Sequence, residues 1–74
     1  MAKQSAILTS PWVSVIIPTL NEQDYISDIL QDLYHQTRQP DKIIVVDGHS
    51  SDNTQALIKI WAQKWHKVEL LIWW

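Results

Sequence analysis

Four consecutive apolar residues, Ile43-Ile44-Val45-Val46, run into a carboxylate at Asp47; Gly48, His49, Ser50 and Ser51 follow, and a helix-like pattern begins at Asp52. An apolar run of β-branched residues without polar alternation is what a strand buried in a parallel sheet carries. The segment therefore reads as a strand, a tight turn and a helix start. In open α/β sheets, ligands bind in the crevice beyond the carboxyl ends of the strands. Asp47 stands where an acid can meet a ligand. The same position also suits a turn aspartate that bonds its own backbone before Gly48. Position alone leaves both readings open.

The rest of the chain repeats this alternation. Residues 1–12 read as a leader ahead of a single unit at 13–74. Val13 to Ile17 reads as a first buried strand, ended by Pro18. Asn21 is placed to cap a helix, with Asp24 as the acid of a capping box. Ile26, Ile29, Leu30, Leu33 and Tyr34 then follow helical spacing. The second helix is expected to start at Ser50 or Ser51, with Asp52 favourable in its first turn. Ala56, Leu57, Ile60, Trp61 and Trp65 form its expected apolar stripe, and Val68 to Trp73 reads as a third strand. The order β-α-β-α-β, with right-handed crossovers, predicts a three-stranded parallel sheet with helices on its faces.

Size and composition bound what such a unit can do. At 74 residues the chain is at most one small domain, and a chain of that size buries only about 60 % of its unfolded surface. It has no cysteine, so neither a disulfide nor a thiolate metal site reinforces it. A net charge of −2 argues against general nucleic-acid binding. No segment approaches the ~18 apolar residues of a membrane span. The N-terminus carries no signal-peptide pattern, which makes a cytoplasmic address the default. A parallel strand at the terminus, ending in Trp73-Trp74, has no following helix to cover it. The expectation is a truncated domain that is inactive alone, with an open sheet edge that invites self-association.

The residues that follow the strands narrow the chemistry. Dinucleotide folds place Gly-x-Gly-x-x-Gly after the first strand. Here that place reads Pro18-Thr19-Leu20-Asn21-Glu22-Gln23, and Gly48 is the only glycine in the chain. The usual pyrophosphate cradle and the P-loop are thereby excluded. Asp47 can accept hydrogen bonds from a ribose hydroxyl or a base N–H. Asp52 and Asp24 suit helix N-terminal electrostatics. Glu22, beside the end of the first strand, is open to either role. An acidic rim of this kind repels a diphosphate unless a divalent cation intervenes. His35, His49 and His66 lack partners at ligand spacing, so zinc is not expected. Trp61 and Trp65 are helix-spaced and read as core.

Two linked segments, Val13-Ser14-Val15-Ile16-Ile17-Pro18-Thr19-Leu20-Asn21-Glu22 and Ile43 to Thr54, with Gln36-Thr37 and Pro40 between them, closely resemble the start of family 2 glycosyltransferases. The resemblance covers residue 13 to about 72. It implies the truncated, three-layer, Rossmann-like half of a glycosyltransferase A-type fold. The implied reaction is hexosyltransferase-like: a sugar moves from a nucleotide-diphosphate sugar to an acceptor hydroxyl. By the same resemblance, Pro18, Thr19, Leu20 and Glu22 contact the nucleotide, and Asp47 contacts the base or ribose. Many members carry a second Asp where Gly48 stands, and an aromatic ring where Leu20 stands.

The family's downstream Asp-x-Asp motif does not occur in this chain, nor does the acid that would deprotonate the acceptor. A divalent cation (Mg or Mn) is implied for a full-length member, as is a location peripheral to the membrane. The alternative is a non-catalytic α/β binding or interaction module. A flavodoxin- or receiver-like domain would want an acidic pair after the first strand, where Pro18-Thr19 stands.

Overall fold

The computed structural model describes residues 12–73. Leader residues 1–11 and the closing Trp74 lie outside them. The elements are β1 (Ser14–Thr19), α1 (Ile26–Tyr34), β2 (Lys42–Asp47), α2 (Thr54–Lys64) and β3 (Val68–Ile72). The strands form one parallel sheet in chain order, β1-β2-β3, so the expected β-α-β-α-β architecture is present. No helix of the described residues is long and apolar enough to cross a membrane.

Both described helices lie on one face of the sheet. When strand order follows chain order, two right-handed crossovers land on the same side of the sheet. The core cluster shows this: Ile43, Val45 and Val68, with Val15, Ile17 and Leu70 packed against them, share one face, and Ile26, Leu30, Ile58 and Trp65 cover it from the helices. Each fully buried Ile or Leu of this layer contributes about 1.5–3 kcal/mol relative to exposure.

The described residues place no helix on the opposite face of the sheet. Ile16 is 65 % exposed there, Leu71 is exposed, and Ile44 and Val46 are half-buried. The described residues thus supply two of the three layers expected. Continuous apolarity in β2 predicted cover on both sides, and the described residues supply it on one.

Three local expectations shift. α1 begins at Ile26, after a turn in which the Glu22 carbonyl accepts N–H bonds from Tyr25 and Ile26. Asn21 does not cap it, because its side chain bonds across to Ser51. α2 begins at Thr54, not at Ser50 or Ser51. Its buried stripe runs through Thr54, Ile58 and Trp65, leaving Ala56 and Ile60 exposed. The expected stripe omitted Thr54 and Ile58 and took in Ala56 and Ile60, so its centre lies about one residue, roughly 100°, from the inward face; its Leu57, Trp61 and Trp65 do pack on the core.

Candidate functional site

The carboxyl ends of β1 and β2 meet at one pair of residues, Thr19 opposite Asp47. Both side chains point to the helix face, since each continues the alternation of its strand. Asp47 is fully buried. Its Oδ1 accepts the hydroxyls of Thr19 (2.6 Å) and Ser50 (2.6 Å); its Oδ2 accepts the Ser50 N–H (2.8 Å) and the Gln55 amide (2.8 Å).

A carboxylate offers about four acceptor positions, and four donors occupy them. Burial disfavours the charge on Asp47, but the bonds from Ser50, Thr19 and Gln55 outweigh it and hold the carboxyl at about 2. The carboxylate is therefore ionised and saturated from within. Of the two sequence readings, the turn aspartate describes this geometry. A direct bond from a nucleoside to Asp47 finds no open acceptor in it.

Around this pair, the loops after β1 and β2 are stitched to each other. Asn21 N–H donates to Ser50 Oγ (2.8 Å), and Ser51 N–H donates to Asn21 Oδ1 (2.8 Å). Gln23 N–H donates to Asp52 Oδ2 (3.3 Å), and Asn53 N–H donates to Gln23 Oε1 (3.0 Å). Between these reciprocal pairs, Glu22 N–H donates to the hydroxyl of Thr54 (2.8 Å). Gly48 N–H closes the base of the crevice on the Thr19 carbonyl (2.9 Å). Seven backbone amides that could face an anion at two helix starts (Asn21, Glu22, Gln23, Ser50, Ser51, Asn53 and Thr54) are thus donated inside the protein.

Asp52 takes the structural role expected of it, two residues ahead of α2, accepting the Thr54 N–H (2.9 Å) and hydroxyl. Burial works against its charge as well, yet the bonds from Thr54 and Gln23 leave its carboxyl below the ordinary range.

The turn obtains its left-handed backbone from residues other than the glycine. Asn21 (φ 54°) and His49 (φ 61°) adopt it, whereas Gly48 does not. Asn tolerates this region better than most side chains. A Cβ on Gly48 would meet only the Thr19 carbonyl, at an ordinary 3.6 Å.

The residues expected at the nucleotide divide in two. Pro18 and Leu20 are exposed and Glu22 is half-buried at the rim, while Thr19 and Asp47 lie beneath, bonded to each other. Asn21, Gln23, Ser50, Thr54 and Gln55 build the site and were not anticipated in that role. Thr54 left one signal: it sits four residues before Ile58 and eleven before Trp65, on the inward face of its helix.

Among the described residues no group of His, Asp or Glu is arranged to hold a metal ion. Asp47 is saturated by four protein donors, and Asp52, two residues ahead of α2, accepts three.

At the far end of the sheet a cavity of about 360 Å³ is lined by Gln31, Tyr34, His35, Trp61, Lys64 and Trp65. The rings of Tyr34, Trp61 and Trp65 meet edge to face, with the Tyr34 and Trp65 centroids 5.1 Å apart. This cluster extends the core and lies away from the strand-end crevice.

Comparison with known proteins agrees with the resemblance read from the motifs. The chain is 38 % identical over 60 residues to the Methanococcus voltae dolichyl N-acetyl-alpha-D-glucosaminyl phosphate 3-beta-D-2,3-diacetamido-2,3-dideoxy-beta-D-glucuronosyltransferase, covering 78 % of this chain and 18 % of that protein. It is 36 % identical over 66 residues to glycosyltransferase AglE of Haloferax volcanii, covering 86 % of this chain and 22 % of that one. The chain thus spans about a fifth of the length of these curated relatives. No solved structure matches it significantly. Residues 14–72 match the family model for glycosyl transferase family 2, and this chain belongs to that family.

Proposed function

We propose that this chain forms the nucleoside-binding rim of a glycosyltransferase that moves a sugar from a nucleotide-diphosphate sugar to an acceptor hydroxyl. The observation that carries the reading is the joining of the loops after β1 and β2 around a buried, ionised Asp47. That junction lies at the carboxyl edge of a parallel sheet, where such folds take ligands. In this reading Pro18, Leu20 and Glu22 meet the nucleotide. Thr19 and Asp47 act from below, holding the turn in one shape. The reaction itself is inferred from family membership, and no acid for deprotonating an acceptor is assigned among the described residues.

Calorimetric titration of the chain with uridine, guanosine and adenosine diphosphates tests this. Saturable binding of one of them, weakened in Glu22→Ala, is the expected result. Absence of binding to all three at millimolar concentration rejects the reading.

A second reading, an α/β module that pairs with a second copy of itself, draws on the bare sheet face with Ile16 and Leu71 exposed. Light scattering behind size exclusion would give a dimer that Ile16→Lys dissolves. A monomer at all concentrations removes this reading.

A further inference from the structure

We propose that Thr54 is a positioning residue for Glu22, acting across 32 positions of sequence. The proposal rests on the nucleotide reading above only for its consequence, not for its mechanics. Thr54 is a polar side chain with no exposed surface. Its hydroxyl donates to Asp52 Oδ1 and accepts the Glu22 N–H at 2.8 Å. It thus sits in the middle of the stitched loops, between the Asn21 and Gln23 pairs.

Glu22 has a second constraint on its carbonyl, which receives the Tyr25 and Ile26 N–H groups at 3.0 and 2.9 Å. Both backbone polar atoms of Glu22 are therefore committed, one to the start of its own helix and one to the start of the other. Its side chain leaves the rim from a backbone that cannot turn. Because Thr54 shares the inward face of α2 with Ile58, its hydroxyl is held by the packing of the first turns of α2 against the sheet. The core thereby fixes the backbone position from which the rim acid projects.

The test compares Thr54→Val, which keeps shape and removes the hydroxyl, with Thr54→Ser, which keeps the hydroxyl, and with Ile58→Val, which loosens the same helix away from the rim. Amide hydrogen exchange is the first arm. Thr54→Val is expected to accelerate exchange at Asn21, Glu22 and Gln23 well beyond its effect on the β2 amides, and Thr54→Ser to restore protection. Ile58→Val should show no such selectivity. Equal acceleration at rim and β2 amides overturns the proposal.

Nucleoside diphosphate affinity is the second arm. Thr54→Val should raise Kd about tenfold, the scale of one lost hydrogen bond to a buried group. Glu22→Ala should add little in that background, because the two act as one unit. Fully additive effects overturn the positioning role. A wild-type chain that binds no nucleotide rejects the proposed function, while selective exchange at Glu22 would still support the mechanics. Should Thr54→Val fail to fold, Thr54→Ala in the same exchange experiment takes its place.

Discussion

The two ends of the sheet are built from different chemistry. At the carboxyl end, loops some 30 residues apart are joined by hydrogen bonds between side chains and backbone, around Asp47. At the amino end, Tyr34, Trp61 and Trp65 meet ring to ring, and the Asp41 carboxylate accepts the Val13 N–H at 2.7 Å. Apolar contact is non-directional and tolerates change of shape. Hydrogen bonds fix distances and angles. The directional chemistry is concentrated at the end where a ligand would need fixed geometry, and the aromatic end closes the core.

This contrast can be broken experimentally. The largest effect is expected at the aromatic end: Trp65→Ala removes a buried ring and should cost about 3–5 kcal/mol, enough to unfold a small domain outright in urea melts. Asp47→Ala comes next. It strands the hydroxyls of Thr19 and Ser50, an amide N–H and the Gln55 side chain, for about 3 kcal/mol. Where osmolyte restores folding, Trp65→Ala should keep nucleotide affinity and Asp47→Ala should lose it; equal retention would mean that the stitched end is only structural.

Acidification probes the same acid without mutation. The folded carboxyl of Asp47 lies at about 2 against an ordinary 3.8, so its charge is favoured in the folded state. The resulting stability, about 2 kcal/mol, is complete above pH 3.8 and lost as pH falls through 2. Asp41 and Asp52 are shifted in the same direction. Thermal melts from pH 6 to pH 2 should therefore fall, and Asp47→Asn should flatten the fall; an unchanged slope contradicts the saturated-carboxylate geometry. The smallest effect is expected at Gly48, whose backbone is not left-handed and whose added Cβ would meet only the Thr19 carbonyl at 3.6 Å. Gly48→Ala should stabilise by about 0.5 kcal/mol in the same melts, because the unfolded chain loses freedom. Destabilisation would show that the turn requires glycine.

Much of this architecture was legible in the amino-acid order. The β-branched runs at Val15–Ile17 and Ile43–Val46, and the helical spacing of Ile26, Leu30 and Leu33, specify strands and a helix because burial follows fixed periods of two and 3.6 residues. The motif pair around Pro18 and Asp47 indicated the family, and it lies at the end of the sheet where the candidate site is built. The β-α-β-α-β order already required a parallel sheet.

Tertiary structure alone decided where each polar group is spent. Asp47 looked equally able to meet a ligand or a turn; Ser50 supplies two of its donors locally, and the two that complete its shell come from Thr19, 28 positions back, and Gln55, eight ahead. Thr54 carried no role in the sequence beyond closing the second motif, and it lies at the centre of the junction. Periodicity reports which side chains leave water. It does not report which distant donor meets which acceptor, because that depends on strand register and on both helices lying on one face of the sheet.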